Sequence, residues 1–337
     1  MALRDGSLID AEVVATCDID GARAKSLGEL CGASFVTSDP GCAIDAAEAV
    51  WICTPTSNHA DLVHRVAAAG RALYLEKPLA PDLRAAEEIS KAVQAAGIPN
   101  QVGLVLRSSP PVAALAELIS QASLPTGEDL GVPMAAVLRD DQFFPIQGMY
   151  QSRWRSQVSV SGGGTLIEHS IHDIDMLLWL FGKASSLTAR KANHAGYPGI
   201  EDVATVTLTH ESGVISTLAS VWHAILTRPS TRRLEIFTSD AMCVLKDEMA
   251  GPIRLQTSSG ELEIGMPKEA VAVISRLAAP EPLKLSLLAY AMADMAFLTA
   301  LSTGAPPEPG IDVGLEAHRV VDAAYRSAAA GGAPRSL

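Results

Sequence analysis

The rhythm of the first third of the chain limits its fold more than any other feature. Short β-rich runs at Glu12 to Cys17, Ala49 to Cys53, Ala72 to Glu76 and Gln101 to Leu106 are spaced by helical stretches. Those stretches cover Gly21 to Cys31, His59 to Ala69 closed by Gly70, and Asp82 to Ala96 ended by Gly97 and Pro99. Strand and helix in this alternation predict an α/β, doubly wound parallel sheet. The prolines Pro110-Pro111 and Pro125 then bracket one more helix and mark a change of style. After Gly162-Gly163-Gly164 the spacing predicts a single helix from about Thr165 to Phe181. Runs rich in β-branched residues follow at Ser186 to Ala192, Val203 to Thr209, Val214 to Val221, Arg233 to Thr238 and Met242 to Leu245. Successive strands without helices between them predict an α+β domain with a mainly antiparallel sheet. Helices over Lys284 to Leu301 and Val313 to Ala329 close the chain. The expected division is residues 1–108 and 109–337, with the last helices packing back towards the first domain.

Composition removes several function classes. With 337 residues, 48% apolar and 19% charged, the chain is long and apolar enough for two cored domains and is not of the disordered type. Its 26 basic against 38 acidic residues give a net charge of −12, so no nucleic-acid partner is expected. The apolar runs Met176 to Phe181 and Leu285 to Ala293 fall short of the ~18 residues that span a bilayer, so no membrane partner is expected. Arg4, Asp5 and Asp10 interrupt the start before a signal-peptide core forms, which predicts a cytoplasmic protein. The 5 cysteines contain no Cys-x-x-Cys, arguing for buried free thiols over a disulfide framework or zinc knuckle.

Four local patterns carry chemistry. Asp18 follows the first strand, where a carboxylate can accept hydrogen bonds from an adenosine ribose and repel the 2′-phosphate of NADP; Asp18 or Asp20 can equally cap the next helix. Thr54, Pro55, Asn58 and His59 lie where a strand turns into a helix, the place at which open α/β sheets bind ligands, although a cap and a structural histidine are the plain alternatives. Glu76-Lys77-Pro78 ends the next strand, where a partly desolvated Lys77 beside a nicotinamide would lose proton affinity, as a catalytic lysine requires. Finally, on the helix expected after the glycines, Glu168, His172 and Asp175 share one face, and a carboxylate one turn before an imidazole can orient it as a general base. Glu168, His169 and His172 are also of metal-ligand type, but their order matches no common zinc motif, and no metal is expected.

Together these motifs resemble the glucose-fructose oxidoreductase/inositol dehydrogenase/MocA (Gfo/Idh/MocA) family of NAD(P)-dependent enzymes, over nearly the whole chain from Asp10 to Ala330. The resemblance implies a Rossmann-type first domain and hydride transfer between a nicotinamide cofactor, NAD in preference to NADP, and a secondary alcohol of a sugar or polyol. It implies that Lys77 steadies the substrate hydroxyl, that His172 is the general acid/base and that Glu168 stands where relatives usually carry Asp. Cofactor contacts would come from Asp18, Thr54, Pro55, Asn58, His59, Glu76 and Lys77, and substrate contacts from Arg107, Trp154, Arg155, His172 and Tyr290, with Trp154 and Tyr290 equally fit for packing. A homo-oligomer, dimer or tetramer, is implied by the resemblance alone.

One departure qualifies this reading. No Gly-x-Gly-x-x-Gly occurs, and Met1 to Arg4 reads as the tail of a helix, so the recorded sequence is expected to start after the first strand and its phosphate-binding turn. Two rival functions follow: a truncated sugar-binding or interaction module without catalysis, and metal-assisted hydrolysis or isomerisation at Glu168, His169 and His172.

Overall fold

The computed structural model describes residues 11–148 and 150–337. Met1 to Arg4, read above as the tail of a helix, lies outside the described residues.

The parallel part begins with β1 (Ala15–Cys17), α1 (Gly21–Cys31), β2 (Phe35–Thr37), α2 (Pro40–Ala46) and β3 (Ala49–Ile52). It continues through α3 (His59–Ala68), β4 (Ala72–Leu75), α4 (Leu83–Ala96) and β5 (Asn100–Val102). Side chains set the helix starts: Asp20 caps α1 by accepting the Ala22 N–H, and Asp82 caps α4 by accepting the Ala85 N–H. The strands form two separate parallel sets, β1-β2 and β3-β4-β5. The second set is fully cored: Leu73, Leu75, Val63, Val66, Ile89 and Val93 are buried between the sheet and α3 and α4.

Two expectations here need correction. The first strand is shorter than Glu12 to Cys17, and the run Gln101 to Leu106 is strand only to Val102, after which Val105–Ser108 coils into a 3-10 turn. Leu104, Val105 and Leu106 stay buried in that turn, and apolar burial without strand pairing is what made the run read as β.

After α5 (Pro110–Gln121) comes the long β6 (Pro133–Phe143), and then α6 (Val158–Ser161), α7 (Thr165–Glu168) and α8 (Ile171–Phe181). The strands β7 (Ala184–Ala192), β8 (Val203–His210), β9 (Ile215–His223), β10 (Thr231–Thr238), β11 (Ala241–Leu245), β12 (Ile253–Thr257) and β13 (Gly260–Ile264) follow. The chain closes with α9 (Lys268–Arg276), α10 (Glu281–Thr303), α11 (Ile311–Ala329) and β14 (Arg335–Ser336). Nine strands form one sheet in the order β13-β12-β11-β10-β6-β9-β8-β7-β14, antiparallel except for the pair β6-β9. One face packs on α5, α8 and α11 through Leu138, Leu218, Ile174, Leu177 and Val320. Residues of opposite parity, among them Val137 and Ile215, face outward, as a sheet covered on one side requires.

The helix expected from Thr165 to Phe181 is interrupted. His169 and Ser170 separate α7 from α8, and the Ser170 N–H reaches back five residues to the Thr165 carbonyl at 2.8 Å. A local widening of this kind breaks the 3.6-residue register between Glu168 and His172.

The terminal helices bind the parts together. Leu288, Ala289, Ala291, Ala293 and Phe297 are buried along α10, and of these Ala289, Ala293 and Phe297 pack on Trp51 and Tyr74 of the parallel sheet. The Leu283–Thr303 stretch of α10 has a mean hydropathy of 1.5, a longer apolar segment than Leu285 to Ala293. Helix α11 touches both parts: Leu315 joins the core of the parallel sheet while Ala317, Val320 and Val321 join that of the large sheet. Of the thiols expected to be buried, the structure buries Cys243 and exposes Cys17, Cys42 and Cys53.

Candidate active site

The carboxyl ends of the parallel strands meet the short helices before α8 in one cleft. Lys77 follows β4, and its ammonium donates to the backbone carbonyl of Glu168 at 2.6 Å, so one hydrogen bond joins the end of the parallel sheet to the end of α7. Two glycines make that approach feasible. A Cβ on Gly162, where φ is +83°, would lie 2.0 Å from the Pro81 carbonyl oxygen, and one on Gly164 would lie 1.8 Å from the Glu201 carbonyl oxygen. The triple glycine therefore lets backbone pack on backbone.

Glu168 does not address His172. Its side chain is 1% exposed; one carboxylate oxygen accepts from the Thr56 hydroxyl at 2.9 Å and the other from the Arg155 Nε at 2.9 Å. The Arg155 guanidinium lies over the Trp154 ring at 4.2 Å, which fixes its plane. The expectation that Glu168 orients the imidazole fails for the reason seen in the fold: the break at His169 and Ser170 turns Glu168 off the face of α8 that carries His172. The Nδ1 of His172 is buried without a hydrogen-bond partner, and the residue as a whole is 7% exposed.

Burial dominates the electrostatics. It lowers the proton affinity of Lys77 against the attraction of Glu168 and Glu76, with Arg155 and Arg232 adding to the lowering. It also holds His172 well below the usual imidazole range, helped by Lys77, Arg232 and His169. Burial raises the Glu76 carboxyl, whose oxygens lie where a Cβ on Gly103, just after β5, would come within 2.8 Å.

Behind these groups lies a charged cluster. The buried Arg232 donates to Asp173 at 2.7 Å and to Glu248 at 2.9 Å, with Asp140 at 3.7 Å. Asp140 also accepts from the Ser170 hydroxyl at 2.7 Å and pairs with His169 Nε2 at 3.0 Å. Burial, partly offset by Arg232 and reinforced by Asp140, pushes the Asp173 carboxyl up to about 7. Sequence reasoning missed Asp140, Asp173, Arg232 and Glu248. Only Asp173, in the apolar α8, carried a signal; Asp140 stands in the run Arg139-Asp140-Asp141, Arg232 beside Arg233 and Glu248 beside Asp247, where a charge is ordinary in the sequence.

The other expected residues are placed as follows. Asp20 takes the cap of α1, so Asp18 remains exposed at the end of β1, accepting only the Asp20 N–H at 2.8 Å. Thr54 and Asn58 are exposed at the end of β3 and Pro55 is half-buried. The His59 ring is buried and spends both nitrogens on backbone carbonyls, Nδ1 on Pro78 at 3.0 Å and Nε2 on Thr54 at 3.0 Å; it ties two strand ends together. Arg107 grips the buried Asp175 at 2.8 and 2.9 Å and lies 5.2 Å from the Trp179 ring, a structural clasp. Tyr290 is 45% exposed on α10. Glu168, His169 and His172 do not converge, and the described residues contain no cluster of three acidic, histidine or cysteine ligands that could hold a metal.

Along the row of strand ends, Asp18 presents a carboxylate oxygen without a protein partner at one end, and Lys77 and Glu76 stand at the other. A glycine-rich turn for the diphosphate is not among the described residues.

Comparison with known proteins shows the family and the fold. Residues 3–104 match the oxidoreductase family with an NAD-binding Rossmann fold, and residues 124–244 match the GFO/IDH/MocA C-terminal domain. The chain is 29% identical over 329 residues to inositol 2-dehydrogenase of Rhizobium meliloti (strain 1021), covering 95% of this chain and 90% of that protein. It is 33% identical over 149 residues to scyllo-inositol 2-dehydrogenase (NAD(+)) of Bacillus subtilis (strain 168), covering 44% and 37%. Among solved structures, levoglucosan dehydrogenase in complex with NADH and levoglucosan superposes with a TM-score of 0.81 at 20% identity, covering 95% of this chain and 88% of that one. At that identity the likeness is one of fold: a Rossmann-like domain followed by a domain with a mainly antiparallel sheet.

Proposed function

The chain belongs to the GFO/IDH/MocA family of oxidoreductases, and from that premise we propose that it is an NAD-dependent dehydrogenase acting on a secondary alcohol of a sugar or polyol. The observation that supports the reading is the Lys77–Glu168 contact, which holds a desolvated lysine from the end of β4 against the end of α7, four residues before His172. The relatives named as inositol and scyllo-inositol dehydrogenases support the substrate class.

When bound, the nicotinamide supplies the hydride acceptor or donor. Lys77 and His172 frame the reacting hydroxyl, and Glu76 sits under the Lys77 backbone, its carboxylate accepting the Lys77 N–H at 3.3 Å. Asp18 would take the adenosine ribose hydroxyls, and its charge favours NAD over NADP. Thr54, Pro55 and Asn58 would line the middle of the cofactor, and His59 would hold that turn through its backbone contacts. Trp154, Arg155 and Tyr290 would face the substrate. An enzyme that turns over a nicotinamide pool works where that pool is, so a cytoplasmic location accompanies the reading. A homo-oligomer burying the outer face of the large sheet, with Val137 and Ile215 exposed on it, accompanies it as well.

The test is turnover. The protein is incubated with NAD or NADP and a panel of inositols, aldoses and anhydrosugars, and absorbance at the reduced nicotinamide band is followed. Expected are NAD reduction with at least one of these compounds and loss of that rate in Lys77→Ala with cofactor binding kept. Failure of every compound with both cofactors would overturn the proposal.

A further inference from the structure

Helix α7 is a single turn that starts from a run of three glycines and carries no capping side chain of its own. Two residues distant in sequence supply the caps. The Glu201 carboxylate accepts the Gly164 N–H through Oε2 at 3.0 Å and the Leu166 N–H through Oε1 at 3.1 Å, and the Glu201 backbone carbonyl accepts the Thr165 N–H at 2.9 Å. The Tyr325 hydroxyl of α11 donates to the same Oε1 at 2.8 Å. N–H groups at a helix start have no partner within the helix, and here one residue receives three of them in succession.

Two features set this arrangement apart from ordinary packing. Glu201 is 2% exposed, and among the described residues its carboxylate is held by these neutral donors and by no salt bridge. A buried carboxylate is costly unless hydrogen bonds compensate it, and bonds to a charged acceptor are the strong ones. The second feature is the segment being held. A Cβ on Gly164 would lie 1.8 Å from the Glu201 carbonyl oxygen, and one on Gly163 would lie 2.4 Å from the Tyr325 hydroxyl. Glycine loses more conformational freedom on folding than any other residue, so a triple glycine keeps one conformation only where its backbone is anchored from outside.

The other end of the turn meets Lys77. The Glu168 N–H closes the turn on the Gly164 carbonyl at 3.0 Å, and the Glu168 carbonyl accepts from the Lys77 ammonium at 2.6 Å. Four residues at a rise of about 1.5 Å each span only ~6 Å. A shift at the anchored start therefore reaches the carbonyl that holds Lys77.

We propose, on the dehydrogenase reading above, that Glu201 and Tyr325 are positioning residues for Lys77. They fix the start of α7, and the carbonyl at its end then holds Nζ where the substrate hydroxyl arrives. Both act through the turn. The pair also joins three parts of the chain that the sequence keeps far apart: the segment before β8, the last long helix and the glycine run.

Two conservative variants isolate the contacts. Tyr325→Phe removes the hydroxyl donor and keeps the ring, over which Lys191 Nζ lies at 4.6 Å. Glu201→Gln keeps the size of the side chain but turns an amide donor towards one of the N–H groups. Ser327→Ala is the control: it removes a buried hydrogen bond of α11, from the Ala189 N–H at 2.9 Å, that does not involve α7.

The first measurement is steady-state alcohol oxidation below the melting temperature of each variant. Tyr325→Phe and Glu201→Gln are expected to lower kcat about tenfold or more, with KM for the alcohol within about twofold of wild type. Ser327→Ala is expected to lower the melting temperature and leave kcat unchanged. Unchanged kcat in the first two variants, or an equal fall in the control, overturns the proposal. The second measurement needs no turnover. The intact protein is acetylated briefly with acetic anhydride, and label at Lys77 is compared by peptide mass spectrometry with label at Lys25, whose side chain is 73% exposed. Lys77 is expected to be protected in wild type and Ser327→Ala, and labelled several-fold faster in Tyr325→Phe and Glu201→Gln. Labelling of Lys77 at the wild-type rate in those two variants overturns the proposal. If no sugar or polyol is oxidised, the dehydrogenase reading fails, while the labelling still decides whether Glu201 and Tyr325 hold Lys77 in place.

Discussion

At the scale of single residues, Glu168 ties the end of β3 and the Arg155 turn to the end of α7. Both its oxygens are committed, one to Thr56 at the end of β3 and one to Arg155. Glu168→Asp withdraws the carboxylate by about one methylene, so it cannot hold both partners. Displacements of that order cost up to roughly 10²-fold in rate; a fall of kcat between tenfold and 10²-fold, with cofactor affinity unchanged, is expected in steady-state kinetics. Asp173 offers a pH test. The folded chain holds its proton up to about 7, whereas an unfolded aspartic acid releases it near pH 3.9. With the folded affinity raised, the stabilising contribution is complete below the unfolded value and is lost as pH rises through the folded one. Asp173→Asn keeps a neutral side chain throughout, so urea denaturation should place it closer to wild type, or above it, at pH 8 relative to pH 5. A difference that does not change with pH would show that Asp173 is ionised throughout. Lys77 was legible in the sequence because Glu76 and Pro78 frame it at a strand end. Glu168 was legible as a site residue, but its partners were not, because Thr56 and Arg155 lie 112 and 13 residues away along the chain.

At the scale of elements, the alternation of strand and helix was readable wherever caps and glycines punctuate it, as at Asp20, Asp82, Gly97 and Gly182. What escaped were β2, α2, β12, β13 and α9, which carry too few apolar residues for a clear period, and the long β6, whose Arg139-Asp140-Asp141-Gln142 run hides a buried strand behind polar residues. The break between α7 and α8 escaped for a different reason. Its apolar pattern continues unbroken while the Thr165 carbonyl, shared by His169 and Ser170, shifts the backbone register. Two predictions belong here. Gly162→Ala would drive a methyl group into the Pro81 carbonyl, so the variant should express poorly or lose several degrees of melting temperature. Arg107→Met strands the Asp175 carboxylate, 2% exposed, without its cation; removing one partner of a buried pair costs about 3–5 kcal/mol, read as a shift of the denaturant midpoint. A midpoint within error of wild type would mean that the clasp contributes nothing.

At the scale of the whole molecule, order is unevenly distributed. The set β3-β4-β5 is sandwiched by α3 and α4 on one side and α10 on the other, whereas β1, α1 and β2 bury only Thr16, Ala24 and Gly28 and expose Val13, Leu27, Leu30, Phe35 and Val36. Hydrogen exchange in the protein without ligand should therefore find the amides of α1 and β2 exchanging faster than those of β4 and α4. Equal protection would require a packing partner for that apolar surface. Helix α11 has the opposite character. His318 accepts the Leu79 N–H at 2.8 Å, two residues from Lys77, and the Tyr325 hydroxyl donates to Glu201 at 2.8 Å, the residue that receives the Gly164 and Leu166 N–H groups. Both attachments thus hang from α11, 239 residues beyond Leu79 and 124 residues beyond Glu201. On a ribosome, the earlier strands and helices emerge and fold before residues 311–329 exist. The contacts around Leu79 and Glu201 are therefore incomplete in the nascent chain until helix α11 has emerged and docked.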